Sequence, residues 1–241
     1  MNAFTIKWFG ELITSLIKIT PRLKTAKELK KTKTWEEYKP FVDEQVYNWI
    51  NPLVDKAGIE FIAEGTEKIP RGEPIIYTPN HAGLVDIPAV ILSTPVVPIF
   101  MAKKEIASIP LVKDWMWVMD CVFVNRSNKS QARSSLHDAI EMVKNGRSIV
   151  VFPEGTRSKN GELGEFKGGA MKIAMETGAK VVPVYLEGTR ACFEETGNIV
   201  AGKVKVKFLD SISTEGLTKE EFFEMPAKIR DIIQAEKDKS K

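Results

Sequence analysis

Cysteine is scarce in this chain: Cys121 and Cys192 stand far apart with no C-x-x-C spacing, which argues against a zinc site and against a disulfide framework. Such usage suits a reducing cytosol. Long apolar runs are also missing. The longest stretch without charge, 87–102, carries Pro88, Pro95 and Pro98 and falls short of the roughly 20 residues a spanning helix needs. At the N-terminus, Lys7, Glu11 and Lys18 interrupt the apolar run and no A-x-A pattern follows, so no secretory signal peptide is expected. Nor is there a large charge of one sign. Lysine plus arginine (35) barely exceeds aspartate plus glutamate (32), too small an excess for a nucleic-acid partner but compatible with anionic lipid or phosphate. The expected location is the cytoplasmic face of a membrane, with peripheral or monotopic attachment.

What is present divides at Gly58. Before it, two segments have helical periodicity. In the first, Lys7, Glu11, Thr14 and Lys18 form a narrow polar stripe, while Phe4, Ile6, Trp8, Phe9, Leu12, Ile13, Leu16 and Ile17 cover the rest. In the second, Trp35, Tyr38, Val42, Val46, Trp49 and Leu53 recur every three or four residues. The joining segment, 21–33, is a basic loop or helix end with Arg22, Lys24, Lys27, Lys30, Lys31 and Lys33. Aromatic rings beside lysine suit an interfacial helix, so residues 1–57 are expected to form an amphipathic two-helix extension that touches membrane; the alternative is an antiparallel pair packed on the domain.

Residues 58–241 read as one α/β domain. Strands are expected at 59–63, 75–79, 96–102, 121–125, 148–153, 181–186 and 204–209, from β-branched and aromatic residues bounded by glycine, proline or charge. Helices are expected at 87–92, 112–119, 130–144, 168–176 and 219–237. This alternation predicts a mostly parallel central sheet flanked by helices, with its site where strands end and loops begin.

Two strand-end loops carry chemistry. Asn80-His81-Ala82-Gly83-Leu84-Val85-Asp86 offers an imidazole as general base and a carboxylate, five residues on, to hold its other nitrogen as a donor. The pair resembles two thirds of a serine protease triad, the missing hydroxyl being supplied by a substrate. Its bland alternative is a turn-stabilising aspartate beside a solvated histidine. His137, mid-helix beside Asp138, reads as a surface residue. Phe152-Pro153-Glu154-Gly155-Thr156-Arg157-Ser158 gathers a guanidinium, hydroxyls and a glycine that permits close backbone approach, a composition suited to phosphate; an ordinary turn with Glu154 and Arg157 paired is the alternative.

Taken in this order, the two motifs resemble those of the glycerolipid acyltransferase family, specifically the 1-acylglycerol-3-phosphate acyltransferases. Asp120-Cys121-Val122-Phe123-Val124-Asn125-Arg126 resembles the family's second block and Val182-Pro183-Val184 its fourth. The resemblance implies that His81 and Asp86 are the catalytic dyad, and that Arg126, Glu154, Gly155, Thr156 and Arg157 bind an acceptor's glycerol phosphate. Lys103, Lys104 and Lys167 match basic positions of the family that would add positive charge, each with a solvated surface lysine as its alternative. Gly83 stands where many members carry a polar residue such as serine, and Asp120 where the second block usually opens with glycine.

The activity so implied is transfer of a fatty acyl group from an acyl thioester, on acyl carrier protein or coenzyme A, to the sn-2 hydroxyl of lysophosphatidic acid. His81 would take the hydroxyl proton while Asp86 steadies the imidazolium. No cofactor is expected beyond the thioester co-substrate, and no metal, since no His/Cys/Asp cluster has ligand spacing. The alternatives are another lysophospholipid or glycerol 3-phosphate as acceptor, a thioesterase, and a non-catalytic phospholipid-binding protein.

Overall fold

In a computed structural model, which describes residues 1–240, eight helices surround one seven-stranded sheet. The helices are α1 (Ala3–Lys18), α2 (Thr20–Thr32), α3 (Trp35–Ala57), α4 (Asp86–Ser93), α5 (Val112–Val118), α6 (Lys129–Lys144), α7 (Gly169–Thr177) and α8 (Lys219–Lys239). The strands are β1 (Ile59–Glu64), β2 (Ile75–Pro79), β3 (Ile99–Lys103), β4 (Val122–Val124), β5 (Ile149–Val150), β6 (Lys180–Glu187) and β7 (Gly202–Phe208). Their order is β1-β7-β6-β2-β5-β3-β4, parallel throughout except for β6 against β7. Every expected strand is present. Four start late or stop early: β3 begins after Pro98, β5 ends before Pro153, β4 loses a residue at each end to its turns, and β7 stops one residue short, at Phe208. Proline lacks the N–H a ladder needs, so the first of these limits has a simple cause.

Sheet position dictates strand composition. β2 is buried along its whole length and β6 along all but its ends, because helices cover both faces of a central parallel strand; β7 alternates. The C-terminal ends of β2, β3, β4 and β5 therefore point the same way and open their loops on one edge, where ligands of such folds gather.

The N-terminal segment differs from the sequence reading in one respect. The basic joining stretch is a helix of its own, α2, started by Pro21 in its first turn. Most of its cations are paired: Lys27 with Asp114 at 2.8 Å, Lys31 with Glu28 at 3.3 Å, Lys33 with Glu37 at 3.4 Å, and Lys30 with Asp120. α3 begins at a Thr34/Glu37 capping box, and its stripe from Trp35 to Val54 lies in the same core as the sheet. It stops at Gly58, whose φ of +66° is the left-handed conformation glycine adopts freely. α1 then packs on α3, with Trp8 Nε1 donating to the Leu53 carbonyl (2.9 Å) and Trp49 Nε1 to Ser15 Oγ (2.9 Å).

Asp120 now has a structural reason. Its φ is +59°, a region aspartate tolerates better than most residues, and its carboxylate fastens three elements. It accepts from Lys30 of α2, from the Tyr38 hydroxyl of α3 (3.1 Å) and from Arg147 (3.5 Å), while burial raises the Tyr38 pKa. A glycine there would permit the turn and leave those cations unpaired.

Candidate active site

β2 delivers the histidine loop. Past Pro79, the Asn80 side chain prolongs the pairing with β6, donating to the Leu186 carbonyl (3.0 Å) and accepting from its N–H (2.7 Å). The His81 ring stacks on Phe152, with centroids 4.0 Å apart and planes 26° from parallel, which leaves it little freedom to rotate. Asp86, in the first turn of α4, is fully buried, and its Oδ2 lies 2.7 Å from His81 Nδ1. The same oxygen accepts the N–H groups of Ala82 (2.7 Å) and Gly83 (2.8 Å). A carboxylate at a helix N-terminus that receives backbone N–H groups is held as an acceptor, so Nδ1 carries the imidazole proton and Nε2 keeps its lone pair. In this arrangement the turn can present a base at Nε2.

From β5 the chain runs on beside β2, Val151 N–H donating to the Tyr77 carbonyl (2.9 Å), and then turns through the second motif. Glu154 is buried; its Oε1 accepts the His81 N–H (2.8 Å) and its Oε2 the Gly164 N–H (2.9 Å). Ser158 N–H closes the junction on the His81 carbonyl (2.7 Å). The structure thus sets Glu154 beneath the histidine loop as a brace.

Gly155 has a φ of +71°, and a Cβ there would lie 3.2 Å from Lys167 Nζ and 3.3 Å from an Arg126 guanidinium nitrogen. The backbone conformation is what favours glycine, while a Cβ would press only on the flexible ends of those two side chains. Arg126, from the turn after β4, and Lys167, tied by its N–H to the Pro153 carbonyl (3.0 Å), thus converge over one glycine. Loss of water around Arg126 lowers its pKa, the Glu105 carboxylate opposing, yet a guanidinium stays charged at any physiological pH. Thr156 is exposed, and half-exposed Arg157 meets Glu194 at 3.4 Å. Three cations so edge the turn next to His81.

Lys103 ends β3, two strands from β2 in the sheet, and Lys104 follows it; both are exposed, and Lys103 pairs with Glu105 at 3.6 Å. His137 is exposed on α6. Sequence reasoning missed Glu194 and the stacking role of Phe152. Glu194 sits in no periodic segment and no motif, so no local signal marks it, whereas the apolar end of the β5 segment did mark Phe152 as buried.

The family model described as Acyltransferase matches residues 60–187. A 1-acyl-sn-glycerol-3-phosphate acyltransferase of Borreliella burgdorferi is 38% identical over 131 residues, 54% of this chain and 52% of that protein. The chloroplastic 1-acyl-sn-glycerol-3-phosphate acyltransferase LPAT1 of Arabidopsis thaliana is 39% identical over 124 residues, 51% of this chain and 35% of that protein. The chain thus spans about half or less of the length of these curated relatives. The crystal structure of a 1-acyl-sn-glycerophosphate acyltransferase from Thermotoga maritima superposes with a TM-score of 0.84 at 26% identity, covering 99% of this chain and 95% of that one.

Proposed function

Since the chain belongs to the acyltransferase family, we propose that it moves a fatty acyl group from an acyl thioester to the sn-2 hydroxyl of 1-acylglycerol 3-phosphate, giving phosphatidic acid for phospholipid synthesis. The observation that carries the reading is the 2.7 Å contact between His81 Nδ1 and a buried, N–H-saturated Asp86 oxygen, beside a turn edged by cations. The acceptor's phosphate docks on Arg126 and Arg157, with Lys167 adding charge, which leaves its free hydroxyl at His81 Nε2. As His81 takes the proton, the alkoxide attacks the thioester carbonyl; the tetrahedral intermediate collapses, and the thiolate leaves with the proton returned by the imidazolium. Acyl carrier protein or coenzyme A serves as the donor's carrier.

A purified-protein assay tests this: lysophosphatidic acid with a panel of acyl thioesters, wild type against His81→Ala. A thioesterase would use water in place of the acceptor and need no phosphate-gripping arginine. Arg126→Ala should therefore raise the KM for lysophosphatidic acid by about 10- to 100-fold, the worth of a charge-assisted hydrogen bond. Thioester turnover that ignores both lysophosphatidic acid and this substitution would favour hydrolysis.

For the 1–57 segment, we propose attachment to the cytoplasmic membrane surface through α1. Its protein-facing side is buried Thr5 with half-buried Trp8, Leu12 and Leu16, and its charged stripe is Lys7, Glu11 and Lys18. Between them lies an unpartnered apolar stripe, Ile6 (60% exposed), Ile13 (59%) and Ile17 (59%), at helical spacing. A three-faced helix of this kind, one face on protein, one charged and one bare isoleucine, suits the headgroup boundary. No helix among the described residues is long and apolar enough to cross a membrane. Replacing the three isoleucines with serine should weaken co-sedimentation with anionic vesicles by about 100-fold or more, from the loss of apolar burial. Unchanged pelleting would remove α1 from the membrane contact.

A further inference from the structure

Four consecutive backbone N–H groups of the histidine loop each donate to a carboxylate, and the carboxylates come from three separate parts of the chain. Glu154 takes His81 (2.8 Å), Asp86 takes Ala82 (2.7 Å) and Gly83 (2.8 Å), and Glu194 takes Leu84 (2.7 Å). The first two belong to the motifs already described. Glu194 lies in the loop between β6 and β7, far from both in sequence.

Its carboxylate makes two further contacts. Oε1, besides the Leu84 N–H, accepts from the Arg157 guanidinium at 3.4 Å. Oε2 is buried against Gly83, in the volume a side chain on residue 83 would need: a Cβ there would lie 2.5 Å from Oε2 and 3.1 Å from the Thr189 carbonyl. Burial raises the carboxyl pKa, with the Leu84 N–H and Arg157 pulling the other way. One side chain thus touches the base-bearing turn and a cation of the proposed phosphate grip.

A loop residue positions another group only if its own backbone is held. This loop is held from both sides. Gly197 N–H donates to the Phe193 carbonyl (2.8 Å) and Val200 N–H to that of Cys192 (3.0 Å). From α1, buried Thr5 accepts the Ile199 N–H (2.9 Å), and Phe9 meets Phe193 edge-to-face at 5.6 Å.

We propose that Glu194 is a positioning residue of the transfer site, which fixes the Leu84 end of the histidine turn, aims Arg157, and requires glycine at position 83 because its carboxylate fills that space. The inference rests on the acyl-transfer reading of His81 and Asp86. Glu194 itself exchanges no proton and forms no bond with substrate. Its two tasks need different properties: the Leu84 N–H needs an acceptor oxygen, whereas Arg157 needs a charge.

The test is steady-state acyl transfer to lysophosphatidic acid with folding checked by thermal melting. Glu194→Ala should lower kcat by about 10-fold or more, the scale of one hydrogen bond to a charged group. Glu194→Gln, which keeps an acceptor oxygen, should recover kcat to within about threefold while the acceptor KM stays about fivefold raised, for want of the charge on Arg157. Gly83→Ala should cost about 10-fold in the wild-type background, where it must expel the carboxylate, and less than about threefold beside Glu194→Ala. If Glu194→Ala does not fold, Gly83→Ala and Glu194→Gln decide, since the first must lower kcat and the second must raise KM. Variants within twofold of wild type in both constants, or a Gly83→Ala cost that is the same with and without Glu194, would overturn the proposal. Wild type and His81→Ala in the same assay separate the two levels. No transfer by wild type defeats the functional reading, while transfer indifferent to Glu194 and Gly83 defeats this inference alone.

Discussion

His81→Ala should lower acyl transfer to lysophosphatidic acid by about 100-fold or more, the lower end of what a general base contributes. The reason is geometric before it is electronic. The ring is clamped between Phe152 on one face and Asp86 at Nδ1, so a single nitrogen, Nε2, is presented with its lone pair free. His137 is exposed on α6 and cannot stand in for it. Alanine removes the base without touching Glu154, which holds the backbone N–H of residue 81 whatever its side chain. The loop should therefore persist, and the thermal midpoint should move far less than the rate does. The quantity to measure is kcat/KM with acceptor and donor each varied, together with acceptor binding to the variant. A loss under tenfold, with binding intact, would mean that the acceptor hydroxyl loses its proton elsewhere.

Asp86→Asn is expected to cost more than its small change in shape implies, on the order of 10³-fold in kcat. Asp86 Oδ2 receives three donors, and an amide has one oxygen and one nitrogen at the same place. If the oxygen stays under Ala82 and Gly83, the tautomer survives but the imidazolium loses its counter-charge. If the NH2 turns toward Nδ1, the ring must accept there, its proton moves to Nε2, and the base is gone. Either arrangement disables the same step, so the double variant with His81→Ala should be no slower than His81→Ala alone. Losses that multiply would show that the carboxylate does something apart from the imidazole.

Much of this was legible because it is local. Apolar runs such as 75–79 and 181–186 state that a strand is covered on both faces, and the three-or-four spacing from Trp35 to Leu53 states that a helix has one buried side. His81 and Asp86, five residues apart, were within reach of each other on paper, but spacing alone left a solvated histidine beside a turn-stabilising aspartate equally open; the 2.7 Å contact decided it. Arg126, Gly155, Arg157 and Lys167 were legible only as motif positions. That a guanidinium and an ammonium group meet over one glycine needed β4, β5 and the loop after it in place together. In the basic segment 21–33 a short apolar stripe, Leu23, Ala26 and Leu29, is outnumbered by cations; it packs on the core, and α2 is held in part by Lys27 and Lys30 reaching Asp114 and Asp120, which lie far along the chain.

By itself, then, the sequence determined the α/β class and the strands, which follow from periodicity, and it offered His81 and Asp86 as a pair whose catalytic role only the resemblance of the motifs implied. Only the tertiary structure decided that Glu154 braces the histidine and that Glu194 reaches Leu84. It also decided that β7 lies between β1 and β6, parallel to one and antiparallel to the other. Hydrogen bonds between residues distant in the chain leave no period in it, and they exist once burial of the whole core has chosen which strands lie side by side.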